Sequence, residues 1–178
     1  RRIDVGEQDG FLSILPMSHL FEQTGDFLAP LRVGGTIYYL DTIKPSAILA
    51  ALKKEPVTIM AAVPRLLFGL KNGIKQIFSG AKAPLLEFLL GRAKRLGRTG
   101  RRRLFFFVHR KFNPRFRFFV SGGSALDPDT EEFWEALGFT VLQGYGLTEC
   151  SPILTVNSEK NRRAGSIGHM GAFSFQSS

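Results

Sequence analysis

Cysteine occurs once in the 178 residues, as Cys150, so an intrachain disulfide framework is excluded and the composition fits a reducing compartment. No uninterrupted apolar run approaches the roughly 20 residues that a bilayer span needs. The opening Arg1-Arg2-Ile3-Asp4 does not lead into a signal-peptide pattern. The expected location is therefore cytoplasmic. There is no G-x-G-x-x-G, no serine elbow and no Cys-x-x-Cys, so nicotinamide-binding, serine-hydrolase and structural-zinc readings lack support. His109 and His169 have no spacing that suggests a metal. Cys150 has no activating His or base nearby in sequence and reads as a small apolar residue. Extensive disorder is excluded by a composition that is 44% hydrophobic and 22% charged.

Acidic residues are missing from one long stretch. Between Glu87 and Asp127 there is none, and eleven Lys and Arg side chains fall there, from Arg92 to Arg117. The formal net charge of +9 belongs to that stretch, because the rest of the chain holds 13 basic against 15 acidic groups. A face that binds nucleic acid spreads its charge more widely, so nucleic acid is not an expected partner.

What is present alternates. Apolar runs of strand length at residues 11–15, 36–40, 57–63, 116–121 and 140–143 are separated by helical patterns. Ser18 is placed to cap a first helix, with Glu22 in its first turn and an end near Gly34-Gly35. Pro45 and Pro64 open two more helices, each with leucines or isoleucines at helical spacing. Asp127-Pro128 marks a further helix start, and Phe133, Trp134 and Leu137 form its apolar face. Strand-helix alternation predicts an α/β fold, a largely parallel sheet flanked by helices. Residues 80–118 interrupt the rhythm as a basic helical insertion, and residues 169–178 carry no usable pattern.

Ligands of such sheets bind beyond the carboxyl ends of the strands. Three loops fall there: Pro16-Met17-Ser18-His19, Ser121-Gly122-Gly123-Ser124-Ala125, and Gln143-Gly144-Tyr145-Gly146-Leu147-Thr148-Glu149. Gly122 and Gly123 let backbone approach a flat ligand, or serve only as a tight turn. Tyr145, between Gly144 and Gly146, offers a ring to stack on a purine. Thr148 offers a hydroxyl for a phosphate oxygen, and Glu149 a hard oxygen of the kind Mg²⁺ takes beside substrate phosphates. The alternative for this loop is a turn with a buried Tyr and a solvated Glu. His19 is placed to meet a substrate carboxylate, or to satisfy a local hydrogen bond.

Taken in order, Leu15-Pro16-Met17-Ser18-His19-Leu20-Phe21-Glu22, Val63-Pro64-Arg65, Ser121 to Leu126, Gln143 to Glu149 and Gly165-Ser166-Ile167-Gly168 resemble the adenylate-forming (AMP-binding) superfamily, most closely long-chain fatty acyl-CoA synthetases. The resemblance implies an ATP-dependent ligase. It forms acyl-AMP from a fatty acid, releasing pyrophosphate, and coenzyme A then displaces AMP to give acyl-CoA. It further implies that Gly122, Gly123 and Ser124 line the adenine pocket and Tyr145 stacks on the adenine. Thr148 would touch phosphate, Glu149 hold Mg²⁺, His19 stand beside the reacting carboxylate, and Gly144 lie near the acyl chain. Gln143 and Gly146 belong to the same nucleotide-binding string. A Ser/Thr/Gly-rich phosphate loop, a ribose-binding Asp and a catalytic Lys of the family have no counterpart in these residues. The whole chain, 1–178, is therefore read as part of the N-terminal domain, and alone it is expected to show negligible ligase turnover.

The basic insertion supports other readings. Its leucines, arginines and Phe105-Phe106-Phe107 suit peripheral contact with an anionic membrane, at about 1 kcal/mol per basic group near the surface. They equally suit a helix packed on the domain with its basic face in solvent. A non-catalytic basic module for anionic lipid or RNA, a degenerate relative that kept only the fold, and an acyl-AMP ligase loading a carrier protein are the competing functions.

Overall fold

Proline and glycine divide the chain into short segments, and the apolar segments between them pair into one sheet. The computed structural model describes residues 3–150, 153–157, 166–167 and 169–170, with Cys150, His169 and Met170 described by their backbone. In chain order the described elements are β1 (Gly10–Ser13), α1 (Leu20–Glu22), α2 (Ala29–Val33), β2 (Thr36–Tyr39), α3 (Pro45–Lys54), β3 (Ile59–Ala62), α4 (Pro64–Ile77) and α5 (Ala83–Ala93). They continue with α6 (Arg98–Leu104), α7 (Phe106–His109), β4 (Phe118–Ser121), α8 (Pro128–Ala136), β5 (Thr140–Tyr145), β6 (Thr155–Val156) and β7 (His169–Met170).

The strand order is β2-β1-β3-β4-β5-β6-β7. The first five strands run parallel. β6 and β7 add an antiparallel edge through Tyr145↔Thr155 and Val156↔His169. His169 and Met170 thus have a place in the sheet, where the sequence shows no pattern; residues 171–178 lie outside the described ones. Side chains alternate across the sheet, as a period of two requires. Leu12, Met60, Phe119 and Val141 join the larger core beneath α3, α4, α5 and α8. Phe11, Ile59, Phe118 and Leu142 form the core of the other face.

Trp134 of α8 anchors the larger core. It is fully buried, donates from Nε1 to the Leu67 carbonyl at 3.2 Å, and packs among Phe112, Phe119, Phe133 and Phe139. The expected start of α8 is confirmed, with the Asp127 carboxylate accepting from the Thr130 N–H at 3.0 Å. The insertion is less separate than its composition implies. Leu86, Ala93, Phe105, Val108, Phe112 and Phe116 are all part of the domain core. Of the three consecutive phenylalanines only Phe106 is exposed; Phe105 is buried and Phe107 packs on Phe78. This supports the reading of helices packed on the domain. Among the described residues, no helix is long and apolar enough to cross a membrane.

The first helix departs from expectation. Ser18 does not cap it; the cap position is His19, with no side-chain bond. Residues Gln23–Leu28 then form a π-helix before α2. Pro30 accounts for the widening, because it has no N–H to give and its ring crowds the carbonyl four residues back.

Candidate active site

Four parallel strands end on the same side of the sheet, and the turns that follow them meet there. Leu15 lies just past β1, Val63 past β3, Gly123 past β4 and Gly146 past β5; all four line one cavity of about 530 Å³. His19, Leu20 and Phe21 form a second wall, and Thr148 and Glu149 close a third. Five residues singled out from the sequence, His19, Gly123, Gly146, Thr148 and Glu149, are therefore brought together although they span 131 positions of chain.

The remaining sequence-derived residues lie around this cavity rather than in its lining. Gly122 is buried against the Phe21 ring, so closely that a Cβ would lie 2.6 Å from the ring edge. Ser124 is exposed. Gln143 is buried, and its amide nitrogen donates to Glu131 Oε2 at 2.8 Å. Gly144 packs at the β6 edge, where a Cβ would meet the Thr155 carbonyl at 3.2 Å. Tyr145, at the end of β5, is 45% exposed, so it is not the buried tyrosine of the alternative reading. It is not among the residues that line the cavity, although its neighbour Gly146 is.

Gly123 has φ of +85°, which L side chains rarely adopt. Space is not limiting there, since the nearest atom to a Cβ is a Val63 methyl at 3.7 Å. Gly123→Ala is thus expected to cost about 1–2 kcal/mol from backbone strain alone, read as a lower urea midpoint with unchanged slope.

The wall that carries His19 is held by Glu22, which the sequence places as a carboxylate at a helix start. Glu22 is fully buried. Its Oε1 accepts from Ser13 Oγ at 2.5 Å, from the Ile14 N–H at 3.0 Å and from the Leu15 N–H at 3.3 Å. Those bonds take the backbone donors that would have continued β1, which is why the strand stops at Ser13. They also tie the loop wall of the cavity to the helix wall.

One turn on lies Asp26, 1% exposed, whose carboxyl group meets that of Glu22 and the Ala61 backbone. Burial first, and then the neighbouring Glu22 carboxylate, push the Asp26 pKa well above its ordinary range; burial likewise raises that of Glu22. A signal was available: two acids four residues apart, with no Lys or Arg between Arg2 and Arg32, between the apolar pairs Leu20-Phe21 and Phe27-Leu28.

A raised carboxyl pKa means that the folded state holds the proton more tightly than the unfolded chain. The associated stability is complete below the ordinary carboxylate range and is lost as pH rises through the folded pKa. Asp26→Asn removes that loss. The difference in stability between the variant and the parent is expected to shift in the variant's favour from acid toward neutral pH. A pH-independent difference in urea unfolding contradicts it.

The donor set bears on metal binding. No group of three or more His, Cys, Asp or Glu side chains is placed to hold a metal among the described residues. That excludes an all-protein cage there. It fits Mg²⁺, which takes one or two carboxylates and completes its shell with phosphate oxygens and water. The exposed Glu149 carboxylate, beside the Thr148 hydroxyl in the cavity wall, is a donor of that kind.

The chain as a whole is similar to known proteins. The family model described as AMP-binding enzyme matches residues 1–173. Long chain acyl-CoA synthetase 6, peroxisomal, of Arabidopsis thaliana is 30% identical over 173 residues, covering 90% of this chain and 24% of that protein. 4-coumarate--CoA ligase 2 of Oryza sativa subsp. japonica is 26% identical over 156 residues, covering 86% of this chain and 22% of that protein. The crystal structure of the N-terminal domain of FACL13 from Mycobacterium tuberculosis superposes with a TM-score of 0.68 at 23% identity, over 95% of this chain and 35% of that one. This chain spans about a quarter of the length of these curated relatives.

Proposed function

The chain belongs to the AMP-binding enzyme family, and we propose that it forms part of a ligase that activates a fatty acid with ATP and passes the acyl group to coenzyme A. The observation that carries this reading is the convergence of His19, Gly123, Gly146, Thr148 and Glu149 on one cavity at the carboxyl edge of the sheet. As a long-chain acyl-CoA synthetase, the Arabidopsis relative supports a fatty acid as substrate.

In the first step, a carboxylate oxygen attacks the α-phosphorus of ATP and pyrophosphate leaves. In the second, a thiol attacks the acyl carbon and AMP leaves. The chain's own groups bind and orient. Gly122, Gly123 and Ser124 offer backbone to the edge of an adenine. Tyr145, exposed beside Gly146, offers its ring for stacking once a base lies over that loop. Gln143 holds the base of the loop by its bond to Glu131. Thr148 donates to a phosphate oxygen. Glu149 would hold Mg²⁺, which supplies charge neutralisation at the phosphates as negative charge gathers in the transition state. His19 lines the same cavity as Thr148 and Glu149 and would meet the carboxylate of the acid there, and Gly144 would leave room for the chain beyond it.

The test is isotope exchange between ATP and pyrophosphate in the whole protein, with and without carboxylic acids of different length and shape. Exchange that depends on a fatty acid is the expected result. Absence of exchange with every acid, in protein shown to be folded, overturns the proposal.

A further inference from the structure

On the opposite edge of the sheet there is a second cavity, about 590 Å³ in volume. Lys53 at the end of α3 and His109, Phe112 and Pro114 ahead of β4 contribute to it, so it faces the amino ends of the strands. The first cavity faces their carboxyl ends, and the two linings share no residue.

Its walls combine two chemistries. Lys53, Arg102, Arg103 and Arg110 supply four cations, and no acidic side chain lines the cavity. None of the four has an ion-pair partner among the described residues. In the basic stretch Lys94 is paired with Glu132 at 2.8 Å and Arg117 with Asp9 at 2.9 Å. Arg92, Arg95 and Lys111 also form no ion pair among the described residues, so what distinguishes the four is that they line one cavity. Phe106, 58% exposed, adds ring surface, and the buried Phe112 borders the cavity. His109 fixes the floor: its Nε2 bonds the Leu137 carbonyl at 2.8 Å and its ring stacks on Phe139 at 4.1 Å. Burial first, and then Arg102 and Arg98, keep its pKa below the ordinary imidazole range, so the floor is neutral while the walls are charged.

Four uncompensated cations around one cavity repel one another, and a dianion matches them better than a monoanion does. Guanidinium groups pair with phosphate through parallel hydrogen bonds. The same cations lie around the exposed ring of Phe106, which a phosphate alone would leave uncovered. We propose that this cavity binds a phosphate monoester carried on an apolar or aromatic group. Two sources share that chemistry: a soluble phosphate ester, and the headgroup of an anionic lipid with a terminal phosphate.

The experiment titrates the whole protein with phenyl phosphate in solution and, separately, with phosphatidylcholine vesicles containing or lacking phosphatidic acid. Variants are Arg103→Gln with Arg110→Gln, Phe106→Ala, and a control, Arg92→Gln with Arg95→Gln, which removes the same charge outside the cavity. All these side chains are exposed, and melting curves verify folding. Saturable phenyl phosphate binding is expected. It should weaken roughly tenfold per arginine removed from the cavity, the scale of a charge-assisted hydrogen bond, and change less than about twofold in the control. Phe106→Ala should weaken phenyl phosphate but not inorganic phosphate. Binding to phosphatidic acid vesicles with the same variant pattern identifies the lipid source; binding of phenyl phosphate alone identifies a soluble one. The proposal is overturned if neither ligand binds. It is equally overturned if the control weakens binding as much as the cavity variant, or if single-stranded RNA binds with that same uniform loss, because the charge then acts as a diffuse field.

Discussion

Glu149→Gln is expected to lower acid-dependent exchange between ATP and pyrophosphate by about a hundred- to a thousandfold, the scale of losing one transition-state electrostatic contact. The substitution keeps the shape of the side chain and removes only its charge. Glu149 is exposed in the cavity wall and forms no ion pair among the described residues, so folding stability should change by less than about 0.5 kcal/mol. That separation between activity and stability is the informative part. Exchange within a few-fold of the parent would remove Glu149 from the metal-binding role and leave the cavity without a carboxylate donor from the Tyr145–Glu149 string. Thr148→Val in the same assay tests the neighbouring hydroxyl, with a smaller loss expected because an uncharged hydrogen bond is removed.

Glu22→Ala carries the largest expected effect on the fold, about 3–5 kcal/mol. It strands the Ser13 hydroxyl and the N–H groups of Ile14 and Leu15, each costing about 1–3 kcal/mol when buried without a partner. Glu22→Gln is the discriminating companion. Its amide oxygen can accept from the same donors, and its amide nitrogen can donate toward Asp26, so the expected loss is about 1 kcal/mol or less. Urea unfolding of the two variants gives the comparison directly. If alanine and glutamine cost the same, Glu22 acts by volume and not by tying β1 to α1. Because Leu15 and Phe21 both line the candidate active site, loss of that tie should also weaken nucleotide binding more than Glu22→Gln does.

Strand-helix alternation, the parallel sheet, the proline-started helices and the loops beyond the strand ends were legible without coordinates. Each rests on a local cause: a period of two or 3.6, a fixed proline φ, or a carboxylate placed to cap a helix. Asp127-Pro128 illustrates this, since the residues that start α8 sit within three positions of the N–H they satisfy. The resemblance to the AMP-binding family rested on short strings of the same kind, and the family match over residues 1–173 agrees with it.

Tertiary structure decided the partners of polar groups and the exposure of repeated residue types. Gln143 reads as part of a nucleotide-binding string, yet its amide faces Glu131 because β4 and β5 bring α8 under that strand. Glu22 reads as a favourable charge near a helix start, yet it is fully buried and satisfies the end of β1. Phe105, Phe106 and Phe107 are identical in composition and differ completely in burial. The dense arginines read as one basic field, whereas Arg117 forms an ion pair, Arg101 bonds backbone carbonyls, and Arg102, Arg103 and Arg110 line a cavity without an ion pair among the described residues. Local patterns report which backbone a segment prefers. Which buried donor meets which acceptor depends on strand order and register, and those are settled only when segments far apart in the chain close on one another.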